Sequence, residues 1–323
     1  MPSQNSDAQQ ASTFTPTTHT HPSPSLAPTT NKLATPLTVC IIGASRGIGA
    51  GIASSYARAL APTSTLYLVA RPSSTTTLSA VQKTAQSLNP SITVIPLYAD
   101  ITSASSVADL ASSIKQHGSP SLDVIVLNSG WAGPEVVLDM TKGKPGDFKD
   151  VFDINAIGTF HVIHYLLPLV MADGRDGDGG GVRQLIVVSS FASLLTTGPI
   201  ANTAYCVSKM AQLRMVEFAG EQFGGGGDAG GVDCVCVHPG AVLTEQADET
   251  CPDVFRPYLT DDVELCGAFC VWISREKRAW LNGRLLSAKW DVDELVAKKD
   301  SIVEQDLLKM RLRMEGTSSL PAV

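Results

Sequence analysis

Tyr205 and Lys209 stand four residues apart in YCVSK, inside the stretch ANTAYCVSKMAQLRMVEF, whose composition is that of a helix. On a helix that spacing stacks the phenol and the ammonium on one face. A free tyrosine has a pKa near 10, too high for a base at neutral pH, and an adjacent ammonium stabilises the phenolate and lowers that value. Tyr205 could then exchange a proton with a hydroxyl or carbonyl oxygen. Upstream, the run QLIVVSS ends in Ser189 and Ser190, with Ser193 following. One of these hydroxyls could hydrogen-bond a reacting oxygen and stabilise its developing charge, whereas a serine that only caps the next turn is the reading that suits Ser189. Asn155, in DINAIGTF, falls mid-helix, where its amide competes with the backbone and is mildly unfavourable.

Such a site needs elements to hold it. Short apolar, β-branched runs recur at 37–42, 65–70, 92–99, 123–128, 184–190, 232–239 and 284–288, separated by segments of helical length. Near-continuous apolar strands imply burial on both faces, hence a parallel sheet sandwiched by helices. Seven strands with intervening helices predict a doubly wound α/β architecture. Directly after the first run comes GASRGIGAGIA, with glycines at 43, 47, 49 and 51. A glycine-rich turn between strand and helix can cradle a phosphate, because backbone N–H groups and the helix dipole face an anion there. Its spacing is G-x3-G-x-G rather than the commoner G-x-G-x-x-G.

GASRGIG, LNSG (127–130), DINAIGTF (153–160), the serines before YCVSK, and HPGAVLT (238–244) follow one another in that order. The set resembles the short-chain dehydrogenase/reductase family over roughly residues 37–290. The resemblance implies a Rossmann-type sheet, a nicotinamide dinucleotide, and catalytic roles for Ser190, Tyr205, Lys209 and Asn155. Ser193 stays open as the alternative serine, because the interval from Ser190 to Tyr205 is slightly longer than is common. Asn155 would hold a water on the proton path to Lys209. The cofactor would meet Gly43, Ser45, Arg46, Gly47, Ile48 and Gly49 in the loop, and Asp100 and Ile101 in ADIT at the adenine. Asn128 and Gly130 would lie by the adenosine ribose. Tyr205, Lys209, Pro239, Gly240, Val242 and Thr244 would lie towards the nicotinamide. Two positions depart from the family pattern: Ile42 stands where a threonine is frequent, and LNSG replaces NNAG.

Enzymes that take NAD usually carry an acid at the end of the second strand for the ribose 2′-hydroxyl. Here that strand ends in Arg71, and Arg46 lies inside the glycine loop. Two guanidiniums can pair with a 2′-phosphate, so NADP(H) is expected.

Composition sets further bounds. The chain has 323 residues, 44% hydrophobic and 17% charged, enough for a sizeable core. A net charge of −7 argues against a nucleic-acid binder, and no apolar run comes near the roughly 20 residues that span a bilayer. The seven cysteines form no CxxC pair, so buried thiols in a reducing compartment, the cytoplasm, are expected, with no metal site. His161 and His164 are read as packing or surface residues, and Trp131 as a pocket or edge-of-core side chain. Residues 1–36 are rich in Ser, Thr and Pro and read as a disordered tail whose removal should leave folding unchanged. The glycine runs at 174–181 and 224–231 read as long surface loops within a single domain over 37–290. Residues 245–257 read as a lid over the substrate. Residues 291–323 read as a helical extension with a frayed end.

The function expected from all this is NADP-dependent interconversion of a ketone or aldehyde with an alcohol on a small organic substrate. The resemblance further implies a homodimer or homotetramer formed through long central helices. Two alternatives stand beside that function. An epimerase or dehydratase of the extended branch would bring a G-x2-G-x2-G loop and a larger C-terminal domain, neither of which is present. A catalytically silent dinucleotide sensor would have no need of Ser, Tyr, Lys and Asn together.

Overall fold

A computed structural model describes residues 6–117, 121–171, 181–224 and 231–312. Seven strands, β1 (Thr38–Ile42), β2 (Thr65–Ala70), β3 (Thr93–Tyr98), β4 (Val124–Leu127), β5 (Gln184–Val188), β6 (Asp233–His238) and β7 (Leu285–Ser287), lie inside the seven expected runs. They form one sheet in the order β3-β2-β1-β4-β5-β6-β7, and every pairing is parallel. Every residue of β1, β4 and β5 is buried, which is why those strands read as unbroken apolar runs. Pro96, which offers no N–H, sits in β3 at the sheet edge, where that donor is not needed by a further strand.

The helices are α1 (Ser6–Ser12), α2 (Gly47–Ala59), α3 (Thr75–Leu88), α4 (Ala104–Gln116), α5 (Pro145–Phe152), α6 (Gly158–Met171), α7 (Thr203–Phe223), α8 (Glu245–Thr250), α9 (Leu265–Ser274), α10 (Val292–Ala297) and α11 (Lys299–Glu304). α2 packs with α3 and α9, while α4, α6 and α7 pack together, so helices cover both faces of the sheet. α2 and α9 meet closely: a Cβ on Gly51 would lie 2.2 Å from the Val263 carbonyl oxygen, and one on Gly267 2.8 Å from that of Gly51. Some of the glycines after β1 therefore serve the approach of the chain to itself.

α5, a π-helical turn at Asp153–Ile157, and α6 form one helical run from Pro145 to Met171. By length and composition this run is apolar enough to cross a bilayer, contrary to the expectation from sequence, yet half of its most apolar window is buried inside the protein. All seven cysteines are free and six are buried.

The segment read as a disordered tail is docked from residue 6 onward. Phe14 packs on the fully buried Trp290 with ring centroids 5.0 Å apart, and the Trp290 indole N–H donates to the Ala11 carbonyl at 2.8 Å. His19 N donates to the Lys289 carbonyl, and its ring meets Asp291 at 2.9 Å. The Thr17 backbone N–H donates to Glu294, Asp262 N donates to the Thr20 carbonyl, and Leu26 and Leu33 are buried in the main core. The anchoring apolar residues are few and far apart, and the partners of the polar backbone lie more than two hundred residues away, so local composition does not reveal them.

After β7 the chain turns into α10, whose first turn is capped by the Asp291 carboxylate accepting from Asp293 N and Glu294 N. Residues 305–312 then return to the sheet, where Leu285 N donates to the Leu308 carbonyl. The C-terminal residues expected to fray lie outside the described residues, as do 174–180 and 225–230 of the two glycine runs.

Candidate active site

The strand order reverses between β1 and β4, and a crevice at such a point, beyond the carboxyl ends of the strands, is where doubly wound sheets bind ligands. The glycine loop fills the β1 side. Gly43 and Gly47 have φ of +88° and +51°, a region most side chains avoid, and a Cβ on Gly43 would lie 2.6 Å from Ser129 N. Asn128 Nδ2 donates to the Gly43 carbonyl at 2.9 Å, locking the end of β4 to the loop. Arg46 holds the N-cap position of α2 but its side chain makes no capping hydrogen bond, so it leaves the N–H groups of that first turn free of a side-chain cap. A cradle of glycines at an uncapped helix N-terminus fits a dinucleotide pyrophosphate.

The other expected contacts surround this cradle. Ser45 and Ile48 are half-buried in the loop and Arg46 is exposed. Arg71 is exposed just after β2. Asp100 Oδ1 accepts from both the backbone and the hydroxyl of Thr102, and Ile101 is buried against Gly158. Beyond β6, Gly240 turns with φ +98°, and Ala241 N donates to the buried Asp261 carboxylate at 2.6 Å. Val242 is buried, and the Thr244 hydroxyl caps α8 by accepting from Ala247 N. Thr244 also faces Gly47, and Arg46 Nη1 donates to Glu245 at 2.7 Å, so the start of the expected lid touches the glycine loop.

The residues expected to be catalytic converge beside this crevice. Ser190 lies just past β5, where its hydroxyl accepts from Ala192 N at 3.1 Å, and Tyr205 stands near the start of α7, with the Ser190 side chain favouring its phenolate. Ser193, the alternative serine, is buried and donates to the Ser190 carbonyl at 2.7 Å. Its hydroxyl is thus engaged in shaping the turn at Phe191–Leu194. Lys209 is 3% exposed, with Nζ 5.7 Å from the centre of the Tyr205 ring. A Cβ on Gly130 would come within 3.2 Å of Lys209 Nζ and 3.3 Å of Asn155 Oδ1, so the absence of a side chain there leaves room for both.

The local electrostatics differ from the expectation. Burial pushes the Tyr205 phenol up to about 12, and the Ser190 side chain offsets only part of that rise. Burial also pushes the Lys209 ammonium down to about 8. The ammonium is turned aside to the Val188 carbonyl and Gln212 Oε1, each at 3.0 Å, so desolvation of the phenol outweighs it. Asn155 sits in the π-helical turn, buried, with Oδ1 accepting from Trp131 N and Nδ2 donating to the Trp131 carbonyl and to Ser208 Oγ. Its amide fixes the chain after LNSG. Trp131 is half-buried there.

Three side chains at this site carried no signal strong enough to single them out in sequence. His238 stacks on Phe191 at 4.3 Å and accepts from Phe191 N through Nδ1, bracing the residue after Ser190. Asp261 holds the turn at Gly240. Gln212, one helical turn beyond Lys209, shows only as a polar residue on the buried face of α7. His161 bonds the Ile101 carbonyl, and His164 stacks on Phe160. Among the described residues no group of His, Cys, Asp and Glu could hold a metal ion.

Comparison with known proteins agrees with this geometry. The family model for short chain dehydrogenases matches residues 37–254. The short chain dehydrogenase pgmD of Aspergillus terreus is 34% identical over 306 residues, covering 93% of this chain and 94% of its own. The short chain dehydrogenase mpl6 of Monascus purpureus is 36% identical over 275 residues, covering 85% of this chain and 88% of its own. Among solved structures, a short chain dehydrogenase from Shigella flexneri complexed with NADP superposes with a TM-score of 0.66 at 21% identity, over 80% of this chain and 99% of that one. The shared fold, and above all the family match across two thirds of the sequence, make this chain a member of the short chain dehydrogenase family.

Proposed function

We propose that the protein is an NADP(H)-dependent oxidoreductase that interconverts a ketone or aldehyde with the corresponding alcohol on a small organic substrate. Its family consists of oxidoreductases that use a nicotinamide dinucleotide. The observation that carries the reading is the convergence of Ser190, Tyr205 and the buried Lys209 beside the crevice, with Lys209 Nζ 5.7 Å from the centre of the Tyr205 ring.

When bound, the nicotinamide supplies or accepts the hydride. The Ser190 hydroxyl holds the substrate oxygen and offsets the charge that develops on it. Tyr205 moves the proton: in reduction its O–H passes a proton to the carbonyl oxygen as the carbonyl carbon becomes an alcohol carbon. Burial keeps the phenol protonated at neutral pH, which is the form that reduction uses. Lys209 backs the phenol and faces Gly130, and Asn155 fixes the strand end that opens this space.

Arg46 in the glycine loop and Arg71 after β2, both exposed, support NADP(H) over NAD(H), because guanidiniums pair well with a 2′-phosphate and the end of β2 carries no acid. A homodimer or homotetramer through the long helices is part of the same reading, supported by the exposed Phe160, Val207 and Phe218. So is the cytoplasm, supported by the free cysteines.

The test is a screen of carbonyl compounds and alcohols with purified protein, following nicotinamide absorbance with each cofactor. Turnover of at least one carbonyl compound with NADPH is expected. No turnover of any compound with either cofactor would count against the reading and in favour of a silent dinucleotide sensor.

A further inference from the structure

Lys209 is held by two neutral acceptors, the Val188 carbonyl and the Gln212 side chain, both at 3.0 Å. Gln212 is fully buried, and its amide orientation is determined on both sides. Nε2 donates to Thr159 Oγ1 at 2.8 Å and to the Asn155 carbonyl at 3.3 Å, which turns Oε1 to face the ammonium. Thr159 in turn donates to the same Asn155 carbonyl at 2.7 Å, so its oxygen is left to accept from Gln212. No other arrangement of the amide satisfies all of these groups, because an Nε2 facing the ammonium would set donor against donor.

No carboxylate among the described residues pairs with Lys209. The titratable groups facing it are Tyr205 on its own helix and the Cys236 thiol on β6, and burial pushes both upward, leaving them neutral at ordinary pH. Val188 of β5 and Asn155 of the π-helical turn contribute only uncharged groups. The nearby Glu217 is engaged by Arg214 through its carboxylate. A buried ammonium without a counter-ion keeps its proton only as far as its acceptors allow.

We propose that Gln212 is a positioning residue for this site: it ties Lys209 to the Asn155 turn and sustains the charge of the ammonium near neutral pH. The inference rests on the reading of Tyr205 and Lys209 as the proton-handling pair, but its first test does not. Gln212→Met keeps length and volume while removing the acceptor. Gln212→Glu keeps an acceptor and adds a negative charge.

The experiment is a titration of the full-length protein with ¹³C-labelled lysine, followed by NMR at the side-chain carbon next to Nζ, with Lys209→Arg to assign the signal. The native midpoint is expected at about 8. Gln212→Met should lower it by about one pH unit or more, the loss of one hydrogen bond from a charged donor, and Gln212→Glu should raise it. An unchanged midpoint in folded Gln212→Met would overturn the proposal. If Gln212→Met does not fold, a midpoint in Gln212→Glu at or below the native value would overturn it equally.

Activity then separates the two readings. If protonated Lys209 supports turnover, the alkaline fall of kcat should move to lower pH in Gln212→Met. A shifted NMR midpoint with an unshifted kcat profile would leave Gln212 holding Lys209 and would remove Lys209 from the proton chemistry.

Discussion

Arg46, in the glycine loop, donates to Glu245 at 2.7 Å, joining two segments that lie 199 residues apart in sequence. The two side chains are 54% and 70% exposed, so water and salt weaken the pair. Glu245 opens α8 and the expected lid, and Arg46 is one of the two arginines proposed to meet a 2′-phosphate. The same cation therefore has two candidate anions, and the doubly charged phosphate should be preferred. Glu245→Gln should tighten NADPH binding several-fold while leaving NADH nearly unchanged. Calorimetry with both cofactors checks this, and an equal gain for NADH would mean that Glu245 acts on the lid rather than through Arg46.

Arg71 makes the complementary case at the end of β2. It is exposed, and a 2′-phosphate would be its natural partner. Arg71→Asp should narrow or reverse a preference for NADPH over NADH, since one charge-assisted contact contributes about 1.5–3 kcal/mol, roughly tenfold or more. Equal affinities of the unmodified protein for the two cofactors would remove the basis of this prediction.

The N-terminal segment should matter to stability. Leu26 is fully buried, and Phe14 covers Trp290. Leu26→Ala should cost about 2–5 kcal/mol, and deleting residues 1–34 should lower the melting temperature by more than that single substitution does. Thermal unfolding of the deletion variant measures it. An unchanged melting temperature would show the segment to be the dispensable tail its composition suggests.

That segment marks where the sequence stops being legible. The strands could be read because each buries both faces and so concentrates apolar, β-branched residues locally. The candidate catalytic residues could be proposed because Tyr205 and Lys209 are neighbours on one helix and Ser190 follows a strand. The docking of Phe14 on Trp290, the pairing of Arg46 with Glu245 and the bracing of Ser190's neighbour by His238 are contacts between distant segments, with no local pattern to announce them. The four glycines after β1 were legible as a close approach, but Gly51 serves α9 rather than a ligand.

His238 should make the protein sensitive to acid. Burial and the charge of Lys289 push its imidazole down to about 3, from an ordinary 6.5. Between those values the unfolded chain binds the extra proton, so this contribution to stability is complete above 6.5 and is lost as pH falls towards 3. His238→Gln removes the titration while offering Phe191 N another acceptor. Melting temperatures from about pH 7 down to pH 4 should fall less steeply in His238→Gln than in the native protein. Parallel profiles would show that His238 does not set the acid limit.

Tyr205→Phe tests the central claim most directly, because it keeps the ring and its packing and removes only the hydroxyl. The measurement is kcat on a carbonyl compound that the native protein reduces, together with cofactor affinity. Turnover should fall by roughly 10²–10⁴-fold with cofactor affinity nearly unchanged, whereas Lys209→Ala should damage both. Near-native turnover in Tyr205→Phe would contradict the account and require a different proton donor at the Ser190 crevice.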